Sequence, residues 1–301
     1  MLSNDSQVSI VVTTFNGEKY LNEQLTSILN QTHSASEIII CDDHSEDSTT
    51  EIINKFTNKH PEIRWIVERN DISLGFRENF YKAINLATCN IIFLCDQDDV
   101  WYQNKISDMI SILTGDQHVK VLVSDFDFLI CENGQPDYNA SKRISVNEPR
   151  NNNSNAKVKY SIQNFLNKRP GWTFAFKKEI IPLINELRIG KKEIYHDEIV
   201  WYAGLFLDGL YHINKPLGQW RRFNSSVTKI DGSESKRSRF LRLLPVRLKR
   251  ADEYLMLAKT FKKNNSNISN MNKTIFYLYF QTRYYVIWML NGLLQHLFKR
   301  E

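Results

Sequence analysis

Asn90-Ile91-Ile92-Phe93-Leu94-Cys95-Asp96-Gln97-Asp98-Asp99-Val100-Trp101 is an apolar run of strand character that stops abruptly at three carboxylates within four positions. Like charges this close raise one another's pKa unless a cation lies among them, and a hard divalent ion takes oxygen ligands of this kind. Open α/β sheets place their ligands at the carboxyl ends of buried strands, so the expected occupant is a metal-bound diphosphate. A solvated acidic turn is the other reading of the same residues.

Outward from this stretch, the first 130 residues alternate between short apolar runs and amphipathic stretches, as in a parallel sheet wrapped by helices. Strands are expected at 8–13, 37–41, 64–68, 91–95 and 119–124, and helices at 18–29, 47–56 and 76–86. In the first helix Tyr20, Leu21, Leu25, Ile28 and Leu29 recur at helical spacing. No Gly-x-Gly-x-x-Gly and no Gly-Lys-Ser/Thr follows the first strand, which argues against a dinucleotide dehydrogenase and a P-loop enzyme. Residues 132–156 turn polar around Asn151-Asn152-Asn153-Ser154-Asn155 and read as a mobile surface loop. A helix-like run near 161–166, a turn at Arg169-Pro170-Gly171, a short strand at 172–176 and a helix from Lys178 come next. Tyr195-His196-Asp197-Glu198 then opens an apolar helix over 199–207.

With 301 residues, 42% hydrophobic and 24% charged, the chain has an ordinary globular balance and enough length for a large core plus an appendage. Cys41, Cys89, Cys95 and Cys131 lie in or beside strand-like runs at spacings that match no zinc or haem pattern. Buried reduced thiols are expected, which fits the cytoplasm. Residues 1–7 are largely polar and a strand follows, so no signal peptide is expected ahead of the fold.

Three segments in this order, Val8-Ser9-Ile10-Val11-Val12-Thr13-Thr14-Phe15-Asn16-Gly17, Cys41-Asp42-Asp43-His44-Ser45-Glu46-Asp47-Ser48-Thr49 and Asp96-Gln97-Asp98-Asp99-Val100-Trp101, resemble glycosyltransferase family 2. With His196-Asp197 and Trp220-Arg221-Arg222, the chain is most similar to bacterial rhamnosyltransferase-like members that build surface polysaccharides. The resemblance covers about residues 8–228. It implies a GT-A type α/β fold, with residues 1–230 as the transferase domain, split into a nucleotide-sugar half (1–130) and an acceptor half (157–230). Residues 231–301 would form a helical extension.

The resemblance also implies roles for residues. Thr14 and Phe15 would contact the nucleobase, and Asp42 would accept a hydrogen bond from it, as suits a pyrimidine imide N–H. Arg77 and Asn79 would border base and ribose, although Arg77 also reads as a surface cation. Asp96 would face the ribose and Asp98 the metal and diphosphate, with Asp99 sharing either task or orienting water. The metal would be Mg²⁺ or Mn²⁺. Asp197 would be the base of an inverting transfer, with His196 or Glu198 as alternatives and a dipole-stabilised acidic helix start as the plain reading. Arg221 would face the diphosphate. Relatives commonly read Tyr-Arg-x-His there, whereas this chain has Trp220-Arg221-Arg222-Phe223, so Arg222 competes for that role. Gly171 and Trp172 would underlie the acceptor, and Ser225, Ser226 and Thr228 would add neutral hydrogen bonds or cap a turn. Trp101 reads equally as core.

The implied donor is dTDP-L-rhamnose first and UDP-sugars next, and the implied acceptor a lipid-linked oligosaccharide of O-antigen or capsule type. The rivals are a nucleotidyltransferase or sugar-nucleotide hydrolase on the same site, and a non-catalytic module of the same fold. The basic segment 236–250, threaded with Phe240, Leu241, Leu243, Leu244, Val246 and Leu248, suits anionic lipid headgroups better than nucleic acid. A solvated helix or linker suits it too. The aromatic stretch 275–298 is interrupted by Gln281, Arg283, Asn291, Gln295 and His296 and is not a clean membrane span. Both segments point to peripheral attachment at the inner membrane, or to contact with a second copy.

Overall fold

The computed structural model describes residues 6–132, 135–137, 155–159, 161, 164–165, 169–223, 249–260 and scattered positions between 278 and 289. By internal contacts the chain divides into two units, one of Met1–Asn185 with His196–Ser226 and one of Glu186–Tyr195 with Val227–Glu301.

The first unit is a mixed α/β sheet flanked by helices. Its strands are β1 (Val8–Thr14), β2 (Glu37–Asp42), β3 (Arg64–Arg69), β4 (Ile91–Cys95), β5 (Val100–Trp101), β6 (Val121–Glu132), β7 (Gln135–Asp137), β8 (Asn155–Lys157), β9 (Phe174–Lys177) and β10 (Leu210–Phe223). The main path runs β3-β2-β1-β4-β9-β6-β10-β5, with β7 on β6 and β8 on β10. Strands β1 to β4 pair in parallel, and β9 runs antiparallel between β4 and β6. Every residue of β1, β2 and β4 is buried, as a parallel strand covered on both faces requires. Each enclosed Val, Ile or Leu contributes about 1.5–3 kcal/mol.

The helices of this unit are α1 (Leu21–Leu29), α2 (Thr49–Lys59), α3 (Phe76–Leu86), α4 (Lys105–Gly115), α5 (Ile181–Arg188, whose end passes into the second unit) and α6 (His196–Phe206). The sequence places β1 to β4 to within one residue and α3 at its observed bounds. Helix α1 starts later than expected because the N–H groups of Tyr20 and Leu21 turn back onto the Gly17 carbonyl. Helix α4 was not anticipated, although Ile106, Met109, Ile110 and Leu113 face the core at helical spacing. Two short strands, β7 and β8, lie within the stretch expected to be one loop; the remainder of that stretch is outside the described residues. Strand β10 is long and irregular, with register shifts on either side of Pro216, which lacks the N–H a ladder needs.

The register sets up the site. Thr14 lies opposite Asp42 and Val12 opposite Cys95, so the carboxyl ends of β1, β2 and β4 open onto one crevice.

In the second unit, α7 (249–260) holds the segment 186–195 through one buried carboxylate. Glu253 accepts the backbone N–H groups of Lys192, Glu193 and Ile194, and Arg250 Nη1 donates to the Glu193 carbonyl at 3.0 Å. The Arg250 guanidinium lies over Tyr195 at 5.3 Å and Tyr254 at 5.5 Å. Most of the basic segment 236–250 and of the aromatic stretch 275–298 lies outside the described residues. No helix among the described residues is long and apolar enough to cross a membrane.

Candidate active site

The carboxylate turn follows β4 directly and is tied down unevenly. Asp96 is half-buried, and its carboxyl accepts the Trp172 N–H. Burial, then Asp98 and Asp197, push its pKa up to about 7. Asp98 is also raised by burial, but Arg221 draws it back down. Asp99 is 1% exposed; Oδ1 accepts the Arg221 N–H at 3.1 Å and Oδ2 has no partner. Burial, Asp98 and Asp96 raise it well above the usual carboxylate range. Gln97 clamps Phe15, accepting its N–H at 2.9 Å and donating to its carbonyl at 3.0 Å.

A hard divalent ion fits this donor set, because crowded half-buried carboxylates with raised pKa values are relieved by such an ion. Among the described residues no group of three or more His, Cys, Asp or Glu side chains could hold a metal together. Asp96 and Asp98 are the less enclosed of the three carboxylates, and Asp99 is enclosed and bonded to β10.

The nucleoside side is built on β1 and β2. Phe15 is 51% exposed, so its ring is free to meet a base. Thr14 is 2% exposed and donates to Asp42 Oδ1 at 2.8 Å. Asp42, 1% exposed, also accepts the Ser45 N–H and hydroxyl and lies 3.5 Å from Arg69 Nε. These bonds organise the β2–α2 turn. Asn79 is buried, donates to the Cys41 carbonyl at 2.7 Å and accepts from Asn70 at 2.9 Å. Arg77 is partly buried beside His196, and its Nη1 has no partner.

Asp43 was passed over by the sequence reading. Its carboxylate accepts from Asn70, Ser73 and the N–H groups of Leu74 and Gly75. Burial raises its pKa, yet these four bonds hold it below the usual range. They fold the β3–α3 loop onto the end of β2, where Gly75 takes φ 81°, a conformation suited to glycine.

On the acceptor side, Asp197 is the one residue of α6 that is not buried. Its charge helps to raise the pKa of Asp96. His196 is enclosed, stacked on Phe80 with ring centroids 3.7 Å apart, and neither ring nitrogen has a partner. Burial and Arg77 push its pKa down to about 3, too weak for a base at neutral pH. Glu198 is 3% exposed, so the alternatives to Asp197 fall away.

Gly171 and Trp172 form a 3₁₀ turn beneath this helix start. A Cβ on Gly171 would come 2.9 Å from His196 Nε2, which explains glycine there. Trp172 is fully buried, in edge contact with Phe126, and its indole is unavailable to a sugar. Its contribution is the backbone N–H on Asp96. Trp101 is core as well.

Arg221 is 3% exposed and bonds Glu23 at 2.5 Å, the Asp98 carbonyl at 2.7 Å and Cys131 Sγ at 3.4 Å. These contacts buttress the carboxylate turn. Arg222 stacks over Trp220 at 4.4 Å. Ser225, Ser226 and Thr228 lie outside the described residues.

Comparison with known proteins bears on the family and the fold. A family model described as "Glycosyl transferase family 2" matches residues 9–173. The "dTDP-rhamnosyl transferase RfbG" of Shigella flexneri is 37% identical over 105 residues, covering 34% of this chain and 36% of the relative. The "UDP-Glc:alpha-D-GlcNAc-diphosphoundecaprenol beta-1,3-glucosyltransferase WfaP" of Escherichia coli is 35% identical over 106 residues, covering 35% of this chain and 41% of the relative. The chain thus matches well under half the length of either. Among solved structures, S. aureus TarS 1-349 in complex with UDP-GlcNAc superposes with a TM-score of 0.64 at 16% identity, over 93% of this chain and 73% of that one. That likeness concerns the fold, and it is the GT-A type α/β fold expected from the sequence.

Proposed function

The chain belongs to glycosyltransferase family 2, and from that premise we propose that it is an inverting sugar transferase of bacterial surface-polysaccharide synthesis. It moves a sugar from a nucleoside-diphosphate donor to a lipid-linked oligosaccharide. The observation that carries this reading is Asp197, the one residue of α6 that is not buried, whose charge helps to raise the pKa of Asp96.

Phe15 offers its ring to the base at the end of β1. Asp96 and Asp98 would hold Mg²⁺ or Mn²⁺ together with diphosphate oxygens. When bound, the ion stabilises charge on the departing nucleoside diphosphate. Asp197 takes the proton of the acceptor hydroxyl as that oxygen attacks C1 of the sugar. The C1–O bond to the diphosphate breaks on the opposite face. One base and no nucleophilic carboxylate give inversion.

For the donor, dTDP-L-rhamnose is the first choice, supported by the likeness to RfbG, and a UDP-sugar the second, supported by WfaP and TarS. The lipid-linked acceptor and peripheral attachment to the inner membrane draw support from the diphosphoundecaprenol acceptor in WfaP's name and from the basic segment 236–250.

Calorimetry of dTDP, UDP and GDP with and without Mn²⁺ tests the donor site. One nucleotide is expected to bind only with metal, and Asp98→Asn to weaken that binding. Asp197→Asn should bind the nucleotide as the wild type does and lose transfer by roughly 10²–10⁴-fold, the usual worth of a general base. Wild-type transfer by Asp197→Asn would overturn the assignment.

A further inference from the structure

The transfer chemistry above leaves one exposed aromatic ring at the His196-Asp197 helix start without a task. Helix α3 opens at Phe76 and carries Phe80 one turn later, so the two rings lie on the same face of the helix. Phe80 is 1% exposed and stacks on the His196 imidazole with ring centroids 3.7 Å apart. Phe76 meets the same imidazole edge-on at 6.2 Å, yet it is 53% exposed. The row of rings is therefore closed at Phe80 and opens to solvent at Phe76. Asp197, the residue after His196, is the one member of α6 that is not buried.

The Phe76 ring is held from two sides. Gly75, which precedes it, takes φ 81°, and the Asp43 carboxylate accepts its N–H at 2.9 Å and that of Leu74 at 2.7 Å. These bonds fix the start of α3 to the end of β2. On the other side His196 is enclosed, and a Cβ on Gly171 would come 2.9 Å from its Nε2. A single exposed phenyl is ordinary surface. One whose backbone and edge are both fixed offers a preorganised face, which lowers the ordering cost of binding. A phenyl ring carries no hydrogen-bonding group, so what it offers is a flat apolar surface. The C–H face of a sugar ring is the chemistry that fits it beside a base. Trp172, expected to underlie the acceptor, is fully buried and cannot supply that surface.

We propose that Phe76 is an acceptor-binding residue. Its open face takes the C–H face of the sugar ring that bears the attacking hydroxyl, and it holds that hydroxyl within reach of Asp197. The inference deepens the transferase reading and rests on Asp197 as its base, but its test separates the two.

The full chain is compared with Phe76→Ala, Phe76→Leu, Phe76→Tyr and Ile72→Ser, the last an exposed apolar side chain of the same β3–α3 loop. Methyl glycosides of glucose, galactose, rhamnose and N-acetylglucosamine are titrated by saturation-transfer NMR with Mg²⁺ and UDP or dTDP present, and the nucleotides are titrated separately by calorimetry. Wild type should bind at least one glycoside, with saturation concentrated on the C–H protons of one ring face. Covering about 50 Å² of such surface is worth about tenfold, so Phe76→Ala should lose about that much glycoside affinity. Phe76→Tyr and Ile72→Ser should keep it to within about twofold, and nucleotide affinity should stay within about twofold in every variant. Unchanged glycoside affinity in Phe76→Ala overturns the proposal, as does the absence of glycoside binding by the wild type. A fall in nucleotide affinity as large as the fall in glycoside affinity overturns it as well, since the ring would then serve the donor. Equal glycoside losses in Ile72→Ser and Phe76→Ala would make the whole loop a general apolar surface and refute a specific platform. Should Phe76→Ala fail to fold, Phe76→Leu takes its place, with a loss of about fivefold because a branched alkyl group covers less of the sugar face. Wild-type transfer by Asp197→Asn would sink the base assignment, while the glycoside titrations still judge Phe76.

Discussion

Gly171→Ala isolates the placement of the base from its chemistry. Gly171 does not occupy left-handed backbone, so alanine is tolerated conformationally and the effect is steric. The added Cβ would lie 2.9 Å from His196 Nε2 and 3.7 Å from Asp197 Cβ. Ordinary contact begins near 3.5 Å, so one side must give by about 0.5 Å. The imidazole has little room to retreat, since its ring lies 3.7 Å from Phe80. The start of α6 must therefore shift, carrying Asp197 with it. Overpacking of this kind costs about 1–3 kcal/mol. In a domain of this size that lowers Tm by roughly 2–10 °C. If a displacement of about 1 Å costs a hundredfold, half of it should cost about tenfold in kcat. We predict that loss in a transfer assay, with metal-dependent nucleotide affinity within about threefold of wild type, because Asp98 and Phe15 lie on other elements. A second comparison checks the cause: on a His196→Ala background the obstacle is gone, and Gly171→Ala should cost less stability than it does in wild type. Full turnover in a Gly171→Ala protein whose Tm has fallen would refute the claim that this contact sets the base.

Three further outcomes follow from the hydrogen bonds. Asp43→Asn turns one accepting oxygen into a donor facing other donors, so the β3–α3 loop should lose about 2–4 kcal/mol and amides of residues 70–76 should exchange faster; unchanged exchange would contradict the bracing role. Glu37 is buried, and burial raises its pKa, but bonds from Ser9 and Thr88 and the charge of Arg64 hold it below the usual range. Because the folded pKa values of Glu37 and Asp43 are depressed, their stabilisation is complete above the ordinary carboxylate value of about 4 and is lost as pH falls through the lower folded values. Denaturant melts between about pH 2 and 6 should show that acid limb, and Glu37→Gln should flatten it; an unaltered slope would count against Glu37. Arg221→Lys keeps the charge but cannot reach Glu23, the Asp98 carbonyl and Cys131 together. Nucleotide affinity should fall by roughly tenfold, and wild-type affinity would mean that Arg221 does not support the turn.

The sheet was legible because its central strands are covered on both faces and therefore spell out apolar runs, uninterrupted in Ile91–Cys95 and broken only by small hydroxyl residues in Val8–Thr14. The elements that escaped lack that simplicity. Val100–Trp101 is too short to carry a period, and the end of β10 is polar and broken around Pro216. Asp96, Asp98 and Asp197 could be picked out from their clustering and order, and the charges of Asp98 and Asp197 both raise the pKa of Asp96. Asp42, Asn79, Trp172 and Arg221 could be found by motif but not given a direction. Each turns inward because a partner distant in sequence claims it: Thr14 for Asp42, Cys41 for Asn79, Phe126 for Trp172 and Glu23 for Arg221.

The same distinction decides where an external cation is needed. Seen in sequence, the three carboxylates of the turn are equivalent. In the fold Asp98 has Arg221, whose Nε also holds its carbonyl, and Asp99 has the Arg221 N–H. Asp96 has one backbone N–H and faces a further carboxylate, Asp197. Arg221 thus covers one side of the turn and leaves Asp96, beside the charges of Asp98 and Asp197, as the least compensated of the three. Neutralising Asp96 from inside would have removed the attraction for a metal-bound diphosphate. Leaving all three acids uncovered would have cost the turn its shape, since an enclosed unpaired carboxylate takes up a proton or moves toward water. The division of labour among Asp96, Asp98 and Asp99 is therefore set by residues that no local motif contains.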